Sequence, residues 1–283
     1  MKLISYEVSG QPTFGAVVGD GVVDLRVALE NRYADLRDLL EQNGVEAARR
    51  AVKDSKPTHR LADIRFLPVI PNPGKIWCCG LNYHDHVVET QREVPEKPMF
   101  FLRVADSQVG HGEPMLRPPE STQFDYEAEI AVVIGKPGRR IARADAAAHI
   151  AGYTCYNDGS LRDWQRHTSQ WAPGKNFART GAFGPWLVTA DEIPFDSDLT
   201  LTTRLNGVEL QRATTSMMIH SIASQIEYLS TIVPLCAGDV IVTGTPGGVG
   251  AKRNPPVWMK PGDVCEVEIE RIGTLSNPIA DEV

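Results

Sequence analysis

The sequence predicts an α+β protein that is mainly β, preceded by a small α/β module. Three observations carry this reading. Past residue 75 the chain is built of short apolar runs rich in β-branched residues, cut by Gly and Pro. Helical periodicity is confined to a few segments. The two patterns do not alternate strictly, as a doubly wound parallel sheet would require.

Taken in order, Phe14 to Val18 and Val22 to Leu25 flank Gly19-Asp20-Gly21 and read as a hairpin. Leu29, Tyr33, Leu36 and Leu40 recur at helical spacing, with Asn43-Gly44 as a stop. Pro71-Asn72-Pro73-Gly74 breaks any regular element. This divides the chain into a module over 1–70 and a main domain over 71–283. In the main domain, strands are expected at 75–80, 98–103, 126–134, 152–157, 186–189, 199–205, 240–243 and 264–270. Helices are expected around 83–91, at 144–149 and at 221–231.

Composition narrows the function. The 42% hydrophobic and 23% charged residues are those of a globular protein rather than a disordered one. A net charge of -7 leaves no basic excess for a phosphate backbone, so nucleic acid is not an expected partner. No run of apolar residues has membrane-spanning or signal-peptide length, so a soluble cytoplasmic protein with no membrane contact is expected. Five scattered cysteines, 78, 79, 155, 236 and 265, suggest neither a disulfide framework nor a zinc knuckle.

Chemistry concentrates in a few places. In Asp125-Tyr126-Glu127-Ala128-Glu129, a strand period of two puts Glu127 and Glu129 on one face, about 6–7 Å apart. Two such carboxylates repel unless a cation or proton lies between them; otherwise they are a solvated strand end. Asp158 ends the next strand before Gly159, either as a third oxygen ligand or as a helix N-cap. Three carboxylates suit a hard cation, Mg²⁺ or Mn²⁺, better than zinc. On the 83–91 helix, His86 and Glu89 are spaced i and i+3, so the carboxylate can orient the imidazole as a base; the alternative is an ordinary polar surface helix. Lys175 is a lone charge among apolar and turn residues, a candidate partner for a carboxylate or enolate. The loop Thr243-Gly244-Thr245-Pro246-Gly247-Gly248 fits neither dinucleotide nor P-loop spacing, and suits a small anion better.

As an ordered set these segments resemble the fumarylacetoacetate hydrolase family. The likeness runs from Gly80-Leu81-Asn82-Tyr83 and Asp85-His86-Val87 through Asp125–Glu129, Asn157-Asp158, Arg162-Asp163 with Gln165, and Gly174-Lys175, to Thr243–Pro246 and Gly248-Val249-Gly250. It covers roughly residues 75 to 270. The resemblance implies a mixed β-roll that forms homodimers. It implies Mg²⁺, or Mn²⁺ or Ca²⁺, held by Glu127, Glu129 and Asp158. It further implies His86 and Glu89 as a base pair on a lid, Arg162 and Gln165 lining the site, Lys175 contacting substrate, and Thr245 binding its carboxylate. Cys79 stands where the namesake enzymes carry a further metal-binding aspartate, which points to the smaller, three-carboxylate branch. Arg103 stands where many relatives have lysine. The expected activity is hydrolytic C–C cleavage of an acylpyruvate-like 2,4-dioxo acid. Decarboxylation or isomerisation of a 2-oxo acid at the same site is the alternative, and a non-catalytic metal-stabilised binding protein is the alternative of another class.

Overall fold

The computed structural model describes residues 1–283, the Asp54 side chain excepted. A large sheet of twelve strands runs through the molecule, faced on one side by a five-stranded sheet and on the other by helices. At its centre lie β6 (Ala128–Ile134) and β7 (Ile150–Asn157), paired antiparallel. Every residue of β6 is buried. Ile130, Val132 and Ile134 pack toward the five-stranded sheet, while Ala131 and Val133 pack toward the helices. A strand covered on both faces reads as a continuous apolar run, as Ala128 to Ile134 does.

Chain order along the large sheet begins with β1 (Lys2–Val8), β2 (Gln11–Val18) and β3 (Gly21–Asp24). The first 70 residues, set apart as a module by sequence, share this sheet. Leu3 of β1 pairs with Leu187 of β8 (Gly181–Thr189), and Leu3, Phe14 and Leu36 join one core with Val133 and Val242. On the far side of β6, β11 (Val240–Val242) pairs antiparallel with it and parallel with β4 (Ile76–Gly80). β5 (Met99–Arg103) forms that edge. The smaller sheet contains β9 (Thr200–Leu205), β10 (Val208–Thr214), β12 (Val264–Ile269) and β13 (Gly273–Asp281).

Several elements differ from the sequence expectation. The helix drawn through Leu29 and Leu40 is broken by Glu30 and Asn31, both at positive φ, and only α1 (Leu36–Glu41) forms. The Asp35 carboxylate caps it, accepting from Asp38 N–H at 2.8 Å. The Asn43-Gly44 stop is also the entrance to α2 (Val45–Asp54), which periodicity did not isolate. The segment 144–149 is a 3₁₀ helix, Arg143–His149. The strand expected from Tyr126 starts at Ala128, so Glu127 lies between β6 and the short strand Phe124–Asp125. Helices α3 (His84–Glu89) and α6 (Ile222–Ile232) match their expected positions closely.

Candidate active site

Strand register brings the three carboxylates together. Ala128 pairs with Asn157, and the next residues continue the ladder, with Asp158 N–H donating to the Glu127 carbonyl at 2.9 Å. Residues directly opposite on antiparallel strands share a face, so Asp158 joins Glu127 and Glu129. Each offers an oxygen, and these atoms lie within 4.8 Å of one another. Asp158 is not a helix N-cap. α4 (Arg162–Gln165) begins after Leu161 without a side-chain cap, and the Asp158 carboxylate turns inward instead.

Three cations, Lys175, Arg103 and Arg162, compensate two members of this cluster, Glu127 and Asp158. Lys175 Nζ, at the end of α5 (Ala172–Lys175), donates to Glu127 Oε2 and Asp158 Oδ2, each at 2.6 Å. Arg103 Nη1 donates to Asp158 Oδ1 at 2.5 Å. Arg162 Nη2 lies 2.6 Å from Glu127 Oε1, while its Nε donates to Asp125 Oδ2 at 2.7 Å. Gly174 allows this packing, since a Cβ there would lie 2.4 Å from Gln165 N and 2.5 Å from the Leu161 carbonyl oxygen.

The electrostatics of neighbouring carboxylates diverge. Burial alone would raise the Glu127 carboxyl, but Arg162, Lys175 and His86 outweigh it and hold it well below the usual range. Glu129 is raised well above that range, first by burial and then by Asp158 and Glu127. Its hydrogen-bond partner is Gly244 N–H at 2.5 Å, and among the described residues no cation pairs with it. Lys175 stays charged although burial opposes it, because Asp158 and Glu127 raise it. A buried, oxygen-only donor set with one uncompensated carboxylate fits a hard divalent cation.

Across the cleft, α3 presents His86. Its Nδ1 lies 2.7 Å from Glu89 Oε1, an arrangement that assigns the ring proton to Nδ1 and leaves Nε2 as a bare acceptor. Glu89 Oε2 also accepts from Gly248 N–H at 2.9 Å, which fastens the helix to the glycine-rich loop. One cleft of about 460 Å³ is lined by His86, Glu127, Glu129, Asp158, Arg162, Gln165, Lys175 and Thr245. Glu89 stands behind His86. All nine residues singled out by sequence are therefore brought together. Gln165 Oε1 accepts from Arg162 Nη1 at 2.9 Å.

Sequence reasoning gave no role to Asp125, although it lies in the same motif. Buried, it accepts from Arg162 Nε and from the backbone N–H groups of Gly250 and Ala251, at 2.7 and 3.0 Å, tying the glycine-rich loop to the carboxylate strand. Nor did it single out Arg92, Arg166 and Lys252, three exposed cations on the cleft wall. Cys79 is buried on that wall, and its thiol is pushed up by burial and then by Glu129.

Comparison with known proteins gives the frame for this geometry. Residues 75–280 match the model of the fumarylacetoacetate (FAA) hydrolase C-terminal family. Oxaloacetate tautomerase fahd2, mitochondrial, of Xenopus laevis is 38% identical over 99% of this chain and 90% of its own length. The structure of 5-carboxymethyl-2-hydroxymuconate delta-isomerase from Mycobacterium smegmatis superposes over 100% of both chains, with a TM-score of 0.78 and 32% identity. Maleylpyruvate hydrolase from Sphingobium sp. SYK-6, solved with manganese(II) and pyruvate, also covers 100% of both chains, with a TM-score of 0.82 and 26% identity. The chain belongs to the fumarylacetoacetate hydrolase family and is an enzyme of that family.

Proposed function

We propose that this family member is a divalent-metal enzyme that interconverts the keto and enol forms of a small 2-oxo dicarboxylic acid, oxaloacetate being the first to test. The observation that carries this reading is the placement of an oriented base, His86, and a three-carboxylate cluster on one cleft. The tautomerase relative, aligned over nearly its whole length, supports the substrate class. Glu127, Glu129 and Asp158 would hold Mg²⁺ or Mn²⁺. Bound there, the cation supplies Lewis acidity that polarises the 2-oxo group and offsets charge developing on its oxygen.

The chain's own residues do the rest. The Thr245 hydroxyl binds the carboxylate next to the 2-oxo group, with Gln165 and Arg162 on the facing wall. His86 Nε2 takes the proton from C3, the 2-oxo oxygen takes one from solvent to complete the enol, and the imidazolium returns its proton to solvent. The reverse transfer regenerates the ketone. Glu89 keeps the imidazole in its accepting tautomer and stabilises the imidazolium that forms. Arg92, Arg166 and Lys252 give the cleft wall a positive charge suited to a second carboxylate.

A second reading is hydrolytic cleavage of a 2,4-dioxo acid. The cleft has room for more than a four-carbon acid, and the maleylpyruvate hydrolase neighbour favours it. His86 would then take its proton from water attacking C4. The C3–C4 bond breaks, and its electron pair becomes a pyruvate enolate that is protonated on release. Ultraviolet decay of enol-oxaloacetate and product analysis of 2,4-dioxo acids, each with Mn²⁺ and with chelator, separate the two. Metal-dependent acceleration of enol decay is expected. No acceleration, with two carboxylic acids released from a dioxo acid, would replace the first reading by the second.

A homodimer is the proposed assembly. Edge strand β5 exposes Met99 and Leu102, and its Phe100 stacks on Tyr228 of α6, next to exposed Ile232. A second copy would cover this apolar surface.

A further inference from the structure

Thr245 lines the cleft, and a neighbour restricts what its hydroxyl can do there. Gln211, on β10, is almost wholly buried and uses its full hydrogen-bonding capacity. Its Oε1 accepts from Ala128 N–H at 3.0 Å and from the Thr203 hydroxyl at 2.6 Å. Its Nε2 donates to Thr245 Oγ1 and to the Pro246 carbonyl, both at 2.9 Å. The amide orientation is dictated by chemistry. A backbone N–H only donates and a carbonyl only accepts, so Oε1 must face Ala128 and Nε2 must face Pro246. Thr245 Oγ1 is therefore an acceptor toward Gln211. Its single O–H proton has no protein acceptor among the described residues.

We infer that Gln211 is a positioning residue that makes Thr245 an obligate donor toward the cleft, so that the loop selects an anionic oxygen on the substrate. The inference rests on the proposed carboxylate-binding role of Thr245. Gln211 also fixes the distance of that donor from the metal strand, because Ala128 lies between Glu127 and Glu129. In Gln211→Glu a carboxylate oxygen would replace Nε2. It would accept the Thr245 proton and leave hydroxyl lone pairs facing the incoming carboxylate.

A double-mutant cycle on the full chain loaded with Mn²⁺ tests this, using Gln211→Glu, Thr245→Val and the double variant. Pyruvate binding by calorimetry and steady-state constants for oxaloacetate are the readouts, with thermal midpoints recording the fold. Gln211→Glu should weaken pyruvate binding and raise KM by about 10- to 100-fold, with kcat little changed, as loss of a hydrogen bond to a charged group requires. In the Thr245→Val background it should add nothing. If the penalty persists there in full, Gln211 serves structure alone and the inference falls. If Thr245→Val binds pyruvate as well as wild type, the carboxylate role of Thr245 falls, and the inference with it. Gln211→Met, which removes the donor without adding charge, repeats the cycle should Gln211→Glu not fold. A smaller penalty, again absent without Thr245, supports the inference, and a persisting one overturns it.

Discussion

The two sides of the cleft are built differently. The carboxylate side is made of central strands, with Glu127 and Asp158 buried among Lys175, Arg103 and Arg162 in contacts that join distant segments. The His86 side is α3, a helix of six residues with no side-chain cap at its start and Val88 exposed to solvent. A helix that short is not stable by itself. It is held through a few bonds, Glu89 to Gly248 among them. The difference teaches that the carboxylate cluster is prebuilt by the fold, whereas His86 is carried on a short element held by few bonds, the kind that opens at low cost.

Damage to the two sides should therefore differ in kind. The largest effect is expected from Asp158→Ala. It leaves Arg103 buried without its carboxylate and Lys175 with Glu127 alone, so stability should fall by about 3–5 kcal/mol and metal binding should be lost, read by denaturant unfolding and Mn²⁺ calorimetry. His86→Ala should lower kcat by about 10²–10⁴-fold and leave Mn²⁺ affinity and stability unchanged. Equal loss of metal binding in both variants would erase the distinction between the sides. Glu89→Gln should cost about tenfold in kcat, the scale of one charge-assisted hydrogen bond, and should speed proteolysis near α3 before it affects the core.

A pH series sharpens the same contrast. In the metal-free chain Glu129 is raised, first by burial and then by Asp158 and Glu127, so it holds a proton above the ordinary carboxylate range. A cation must displace that proton. Mn²⁺ affinity should fall as pH is lowered, with proton release detectable by calorimetry in buffers of different ionisation enthalpy. The smallest effect is expected from Val88→Asp on the outer face of α3, within about 0.5 kcal/mol of wild-type stability. A large loss there would mean that this face is covered in solution.

What the sequence revealed follows the range of the interactions. The continuous apolar run of β6, the pair Glu127 and Glu129, and the i, i+3 pair His86 and Glu89 are local patterns, and each was legible. Asp158 was readable as a strand-end carboxylate, but its pairing opposite Glu127 is a matter of register that spacing does not encode. The resemblance, not periodicity, placed it with the other two. The role of Asp125, although it lies in the motif, and that of Gln211 had no local mark, because their loop partners lie 125 and 34 residues away. The broken helix at Glu30-Asn31 shows the opposite error, a good apolar period overridden by two residues in the left-handed region.

The most direct measurement is anomalous scattering from a crystal of the full chain soaked in Mn²⁺. One peak within coordination distance of Glu127, Glu129 and Asp158, facing His86 across the cleft, is the expected result. A peak bound elsewhere, or none at saturating Mn²⁺, would contradict it.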